Sequence, residues 1–216
     1  MREKYEQQLQ DVQQRLIQLC ELSIHAFDKS LGLLQSQDIS KAWIIIEQDR
    51  FINRLEQQIQ DDVQMIMTKQ QPVATDLRRL LVIIRAASEM ERIGDYAVSI
   101  AKETIRIGEN QIVYDLQQLM VMRTLAVDML QKMLQAFSEE NLIEAKEIAT
   151  LDDEIDQLYG DVLSGFEQER TWHEMHAAQL QSLSFICKYV ERAADHATNL
   201  AEALFYLVQG KRYDFD

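Results

Sequence analysis

The chain has 216 residues, of which 47% are hydrophobic, so it is long enough to bury a substantial core as one large domain or two small ones. Its formal net charge of −14 argues against nucleic-acid binding, because no stripe of Lys and Arg is available to neutralise phosphates. The N-terminal segment MREKYEQQLQ lacks the apolar run of a signal peptide, and no stretch approaches about 18 consecutive apolar residues. We therefore expect a soluble, cytoplasmic protein.

The composition predicts an all-α fold. The chain contains one Pro and six Gly, and it is rich in Leu, Ile, Gln, Glu and Ala, which are good helix formers. Apolar residues recur with helical period, and polar or glycine residues punctuate the pattern. These signals place six helices at about 3–35, 39–68, 75–108, 112–137, 141 to the region of Gly160 and Gly165, and 172–210.

Particular residues set these boundaries. Asp38, Thr75 and Asn141 are predicted N-caps, the last of them with Glu144 three residues on. Gly108 is a good residue for a helix C-terminus, and Gly210 is expected to end the last helix. Gly160 and Gly165 are expected to loosen the end of the fifth helix, and Trp172 to open the sixth.

A chemical signature recurs about a hundred residues apart, as ERIGDYAVSIAK at 91–102 and ERAADHATNLAE at 191–202. Upstream of each copy, Asp49, Ile52 and Leu55 recur at the same spacing as Asp152, Ile155 and Leu158. The chain therefore reads as two tandem, pseudo-symmetric three-helix bundles, residues 1–109 and 110–216.

Each half carries polar pairs spaced four residues apart, which place both side chains on one helix face. If the second and third helices of each half pack side by side, the pairs form quartets. We call them the first quartet (Asp49, Asn53, Glu91, Asp95) and the second quartet (Asp152, Asp156, Glu191, Asp195). Several carboxylates on one patch repel unless they are protonated or bind a cation. Carboxylate oxygens suit Mg, Ca, Mn, Fe and Zn, and the quartets contain no His or Cys that would select among them.

Three different interpretations of the acidic pairs remain open. They can be ordinary solvated faces, since Asp and Glu total 36. They can form a salt-bridge network with Arg92 and Arg192, or an acidic docking patch for a partner.

Several residues outside the quartets carry weaker signals. His196 can add a ligand next to Asp195, or it can face the neighbouring bundle, which is the interpretation we favour. His173 and His176 are candidates for paired ligands or surface residues, and Asp28 and Asp128 can extend the acidic patch or be exposed positions. Asp76 is expected to complement the helix dipole, and Arg78 and Arg79 to contact an acidic partner. Cys20 and Cys187 are expected to be free thiols in the core.

The paired ERIGDYA and ERAADHA segments, the QPVATDLR stretch at 71–78 and the two-times-three helix plan resemble the PhoU family along essentially the whole chain. The resemblance implies a regulator that represses the phosphate-starvation response and links the phosphate transporter's ATPase subunit to a sensor histidine kinase. It also implies iron or zinc clusters on Glu/Asp-x-x-x-Asp motifs, which correspond here to the two quartets. Asn53 departs from the acidic pattern and removes one anionic ligand from the first quartet.

The function expected from the sequence is a non-enzymatic regulatory adaptor, forming a homodimer and meeting the membrane only through its partners. Manganese and magnesium are further metals that suit the quartets. A di-iron carboxylate enzyme is a competing hypothesis, but that class needs two Glu-x-x-His motifs, and this chain has only the longer Glu21-x-x-x-His25 and Glu169-x-x-x-His173. A plain dimerisation module, or a similar accessory protein of a different transporter, is also compatible with the helical repeat.

Overall fold

The structure is a computed structural model that describes residues 2–109, 111–170 and 177–215. Over these residues the chain forms six α-helices and no strand, which confirms the predicted all-α fold. Their bounds are α1 Arg2–Ser36, α2 Ile39–Gln70, α3 Thr75–Ile107, α4 Gln117–Glu139, α5 Leu142–Arg170 and α6 Ala177–Gln209. None of them combines the length and the apolarity needed to cross a bilayer.

The helices pack as two similar groups of three. Helices α1, α2 and α3 contact one another, and so do α4, α5 and α6. The groups meet through α3 against α6 and α1 against α4. Leu19, Phe27 and Ile59 lie in one hydrophobic core cluster with Met129 and Ile155 of the second half. Each large apolar side chain buried in this way stabilises the fold by about 1.5–3 kcal/mol.

Most predicted helix ends are confirmed by their hydrogen bonds. Asp38 caps α2, accepting from the Lys41 backbone N–H at 3.0 Å. Asn141 caps α5 in the same way, accepting from the backbone N–H groups of Ile143 and Glu144 at 3.0 and 3.4 Å. Gly108 ends α3, donating its N–H to the Thr104 carbonyl. Each cap satisfies backbone groups that the helix itself leaves unpaired.

Two predicted helix starts are wrong. Thr75 is the first residue of α3 rather than its cap, because Ala74 holds the cap position with a φ of 49° and no side-chain bond. α4 begins at Gln117 instead of residue 112. The buried Gln179 of α6 explains the second difference, since its side chain donates to the Gln111 carbonyl and accepts from the Val113 N–H. Those two bonds hold the preceding segment in a non-helical conformation.

The predicted loosening of α5 is also wrong, because the helix continues through both glycines to Arg170. A Cβ added to Gly160 would meet nothing within 4 Å, so no close approach requires glycine there. The helix tolerates the modest propensity cost of about 1 kcal/mol per glycine. The predictions for Trp172, His173 and His176 concern residues outside the described part of the chain.

Candidate functional site

The first quartet lies where α2 packs against α3. Asp49 and Asn53 are one turn apart on α2, and the Asn53 amide donates to Asp49 Oδ2 at 2.9 Å. Burial raises the pKa of Asp49, and the charge of Asp95 on α3 raises it further. Burial also raises the pKa of Glu91, with additional repulsion from Asp95, Glu56 and Asp49. The structure therefore brings all four predicted side chains into one electrostatic cluster.

The second quartet lies at the matching place between α5 and α6. Burial raises the pKa of Asp152 to about 6, against an ordinary value of 3.8, and Asp195 and Asp156 add to the increase. Burial raises the pKa of Asp156 as well, and Glu191 adds to it. Burial also raises the pKa of Asp195, and the charge of Glu191 raises it further. The four carboxylates therefore share one poorly solvated patch, as the sequence predicted.

Small residues allow each pair of helices to approach closely beneath the quartets. Ala97 and Ala197, which follow the acidic pairs in the two halves, are both fully buried. A Cβ added to Gly94 would lie 3.0 Å from Ile52 Cγ2 and 3.5 Å from Asp49 Oδ1. The lack of a side chain at Gly94 is thus what lets α2 lie against α3 at the first quartet.

Some quartet oxygens are buried without a hydrogen bond. Within the part of the chain that the structure describes, no partner is present for Asp49 Oδ1, Asn53 Oδ1, Asp152 Oδ1 and Glu191 Oε2. Unpaired buried acceptors of this kind cost about 1–3 kcal/mol each. A bound cation would satisfy them, and carboxylate and amide oxygens are suitable ligands for hard cations.

The quartets do not form a complete ligand set in the described residues. No three Asp, Glu, His or Cys side chains within them are arranged to hold one metal ion. The donor chemistry, the unpaired oxygens and the raised pKa values fit a cation, but the side chains would have to rearrange for three of them to bind the same ion.

Positive charges near the quartets differ between the halves. Arg92 lies 3.8 Å from Asp95, an ion pair between exposed groups that contributes little. No matching ion pair joins Arg192 to Asp195 among the described residues. Instead, the Lys188 ammonium binds Glu191 at 2.5 Å and lies 5.3 Å from the Tyr159 ring centroid. A full salt-bridge network through both arginines is therefore absent from this part of the structure.

His196 faces the other half, as we favoured from the sequence. Its Nδ1 lies 2.5 Å from Glu89 Oε2, and its Nε2 lies 2.9 Å from the Tyr96 hydroxyl. Because a carboxylate only accepts, Nδ1 carries the proton and Nε2 accepts from Tyr96 in the neutral ring. The Tyr96 ring also stacks on Tyr189 at 5.9 Å between centroids. These contacts connect α3 to α6 at the centre of the molecule.

The aspartates on the first helix of each half have different contacts. Asp28 binds Arg123 of α4 at 2.7 Å, so it joins the two halves. Asp128 binds Lys132 on its own helix at 2.7 Å. Each of these two aspartates therefore forms an ion pair with a basic side chain of this chain.

The arginines predicted to meet a partner protein have intramolecular contacts. Arg78 donates to the Leu207 carbonyl near the end of α6, at 3.3 Å, and Arg79 forms an ion pair with Glu140. Gly210 has a φ of 73°, a backbone conformation that favours glycine, and a Cβ there would displace the Arg78 guanidinium. Asp76 lies in the first turn of α3, where a negative charge suits the helix dipole.

The two cysteines are free and buried, as predicted. Burial raises the pKa of both Cys20 and Cys187 to about 12, so neither thiol is a nucleophile at neutral pH.

Sequence reasoning missed Lys188, Glu89 and Glu56 as neighbours of the site. Lys188 precedes Glu191 by three residues, a helical spacing that would have indicated the pair. The contact of Glu89 with His196 joins residues far apart in the chain and has no local signal. The fold and these clusters together define a class of protein: an all-α chain of two similar three-helix halves, each with an acidic quartet where its second and third helices meet.

Comparison with known proteins identifies the family. The family model of the PhoU domain matches residues 16–104 and 119–204, one match in each half. The chain is 29% identical over its full length to the phosphate-specific transport system accessory protein PhoU homolog of Clostridium acetobutylicum, covering 99% of that protein. It is 31% identical to the homolog of the same description from Streptococcus pneumoniae, with both chains covered completely.

Solved structures agree. The phosphate transport system regulatory protein PhoU from Streptococcus pneumoniae superimposes with a TM-score of 0.90 at 30% identity, over 97% of this chain and 99% of that one. PhoU from Pseudomonas aeruginosa gives a TM-score of 0.91 at 26% identity, over 96% and 100%. The chain belongs to the PhoU family.

Proposed function

We propose that this protein is a regulatory adaptor of phosphate homeostasis, which restrains phosphate uptake and the phosphate-starvation response when phosphate is plentiful. The observation that carries the proposal is the likeness along the whole chain to proteins described as accessory or regulatory components of the phosphate transport system. Both halves take part in it, so the likeness is not confined to one repeat.

The adaptor acts by binding rather than by catalysis. It works in the cytoplasm as a homodimer, and its partners are the ATPase subunit of the phosphate transporter and a sensor histidine kinase. It reaches the membrane only through them. Long helices suit this work, because a helix of about 30 residues presents some 45 Å of surface to partners.

In this proposal each quartet binds a metal ion, and its side chains rearrange to do so, because no three of them are placed to hold one ion in the described structure. The ligands would be Asp49, Asn53, Glu91 and Asp95 in the first half and Asp152, Asp156, Glu191 and Asp195 in the second. Iron, zinc, manganese and magnesium all suit such oxygen donors. The metal would neutralise the repulsion among the carboxylates and fasten α2 to α3 and α5 to α6. Support comes from the raised pKa values and the unpaired buried oxygens of both quartets.

A deletion experiment tests the regulatory role. The gene is removed from its host, and alkaline phosphatase activity is measured in phosphate-rich medium. We expect high activity in the deletion strain and low activity when the intact gene is restored. Unchanged low activity in the deletion strain would contradict the phosphate assignment and would direct attention to another transporter.

The same strain tests the quartets. It receives the fourfold variant Glu91→Gln, Asp95→Asn, Glu191→Gln and Asp195→Asn, which keeps the side-chain shapes and removes the charges. We expect loss of repression with normal protein abundance on immunoblots. Full repression by this variant would separate the regulatory role from metal binding.

A further inference from the structure

The outer face of α2 differs sharply from that of α5. α2 exposes Trp43, Ile44 and Phe51, whose exposed fractions are 54%, 49% and 49%. In the alignment that pairs Asp49 with Asp152, these three positions correspond to Lys146, Glu147 and Glu154. Large apolar residues at helical spacing on an exposed face indicate an interaction site. Since the duplicated helix has charged residues at these positions, the site belongs to the first half alone.

The charges around these apolar residues differ in the same direction. Lys41, Arg50 and Arg54 are exposed on α2, and the same alignment pairs them with Glu144, Asp153 and Gln157 on α5. Lys41 binds Asp38 at 2.9 Å, whereas neither arginine has an ion-pair partner among the described residues. Arg50 also stacks over the Phe51 ring, 4.9 Å from its centroid. Glu47 is exposed between them, and a groove beside α2 is lined by Lys29 and Asp49. With Asp38 included, the described part of this region carries four cationic and three anionic side chains on a chain of net charge −14.

A groove of about 340 Å³ adjoins this face. α1 and α2 form its walls and α3 forms its floor, and its apolar lining includes Leu22, Ala26, Phe51 and Ile52. Buried Leu16, Leu19 and Phe27 of α1 align with buried Leu119, Met122 and Leu130 of α4. That alignment pairs half-buried Ala26 with Met129, which is fully buried. The side chain at this position is therefore small and lines the groove in the first half, and is large and buried in the second.

A second copy of this chain is a poor occupant. An antiparallel pairing of two α2 helices that brings Trp43 against the second copy's Phe51 would also bring Glu47 against the second copy's Glu47. The same pairing would bring Lys41 close to the second copy's Arg54. Like charges placed opposite each other oppose association. A flat bilayer would leave the groove unfilled, whereas a protein side chain can enter it.

We propose that the α2 face and its groove form a docking surface for an acidic amphipathic helix of a partner protein. A large apolar side chain of that helix enters the groove, its neighbours pack on Trp43 and Ile44, and its carboxylates face Arg50 and Arg54. Aromatic and arginine residues are the side chains most often responsible for binding energy at protein interfaces. The proposal goes beyond the regulatory function and does not depend on which transporter is served. Asp49 of the first quartet also lines the groove, so the two sites are adjacent.

A designed peptide tests the surface. The probe is a fluorescein-labelled amphipathic helix of about 18 residues, or five turns, with Leu and Phe on one face and Glu on the other. A second probe has Lys in place of every Glu. Fluorescence anisotropy with the full chain should show that the acidic peptide binds roughly tenfold or more tightly than the basic one.

Variants copied from α5 locate the binding. Trp43→Lys, Ile44→Glu and Phe51→Glu together introduce the residues of the second half, and should weaken the acidic peptide roughly tenfold or more. Arg50→Asp with Arg54→Gln keeps the apolar residues and should remove the preference for acid. Met65→Glu is the matched control, because Met65 is 45% exposed on the same helix, and it should leave binding unchanged. Circular dichroism confirms that each variant is folded.

Four outcomes would overturn the proposal. They are equal or stronger binding of the basic peptide, acidic-peptide binding that survives the α5-derived substitutions, and self-association of the wild type that these substitutions abolish. The fourth is binding to phosphatidylserine vesicles that depends on Trp43 and Phe51 while the acidic peptide does not bind.

Discussion

The two quartets are built on the same helical plan but balance their charge differently. The first has three carboxylates and the amide of Asn53, which donates to Asp49. The second has four carboxylates, and Lys188 binds one of them, Glu191. In the first half the residue aligned with Lys188 is Ser88. Each quartet also has a cation beside it, Arg92 at 3.8 Å from Asp95 in the first half and Lys188 in the second. The two sites thus share an excess of carboxylates over cations rather than any single side chain.

The halves also differ where they meet at the centre. Position 196 contacts position 89 as an imidazole–carboxylate pair, whereas the equivalent positions 96 and 189 form a tyrosine stack. Glu89→Ala should therefore break a contact that has no polar equivalent. We expect a loss of about 2 kcal/mol in the free energy of unfolding, because His196 loses a partly buried acceptor. Urea denaturation measures the change.

Glu89→Gln serves as the control for that experiment, since the amide oxygen can still accept from His196 and should cost less. A change below about 0.5 kcal/mol for Glu89→Ala, which is typical of an ordinary surface substitution, would show that the central contact contributes little.

Asn53→Asp makes the first quartet match the second in its carboxylate count. We expect the affinity of the first half for Mn²⁺ to rise about tenfold, because cation sites are tuned by the number of charged ligands. Calorimetric titration measures this affinity in a chain whose second quartet carries Glu191→Gln and Asp195→Asn.

The reciprocal change, Asp156→Asn, should lower the Mn²⁺ affinity of the second half by a similar factor. It is measured in a chain whose first quartet carries Glu91→Gln and Asp95→Asn. Unaltered Mn²⁺ affinity in both experiments would refute the role of charge count.

Asp152→Asn tests how much the charged Asp152 side chain lowers the free energy of unfolding when no metal is bound. The pKa of Asp152 is about 6 in the folded chain and 3.8 as an ordinary carboxyl, so between these pH values the folded chain binds more protons at this group than the unfolded chain does. Stability from this group is full below pH 3.8 and is lost as the pH rises through about 6. With chelator present, the Asn variant should be about 1 kcal/mol more stable than the wild type at pH 7, after allowance for solvent screening, and equal to it at low pH. Urea denaturation at both pH values measures the difference, and an equal gap at both would contradict this explanation.

Lys188→Ser gives the second half the residue of the first. The Lys188–Glu191 pair is partly exposed, with 40% and 13% of the side chains accessible, so its contribution is small. We expect Mn²⁺ affinity at the second quartet to rise about threefold once this competing cation is gone. Lys146→Ser, on the outer face of α5, is the matched control. A fall in affinity would show that Lys188 supports the site instead of competing for it.

Local patterns in the sequence predicted most of the fold. Apolar periodicity located the helices, and Asp38, Asn141 and Gly108 marked three of their ends, because capping depends on neighbouring backbone groups. The start of α4 was missed because Gln179, far along the chain, determines the conformation of residues 111–113. α5 continues past Gly160 because a weak local preference is overridden by the packing of the rest of the helix.

The quartets were predictable because the repeat and the four-residue spacing constrain both partners of each helix pair. The contacts around the quartets were not predictable from the sequence, because they form between the two halves. His196 with Glu89, and Asp28 with Arg123, join residues that no local pattern relates. The groove beside α2 is lined by residues of α1, α2 and α3, so it is visible only once these three helices are packed.

The most direct test of cation binding in both halves is a Mn²⁺ titration by calorimetry of three proteins. These are the wild type, the Glu91→Gln/Asp95→Asn variant and the Glu191→Gln/Asp195→Asn variant. We predict binding in both halves of the wild type, with each variant losing the sites of its own half and retaining those of the other. Identical titration curves for all three proteins would contradict the account.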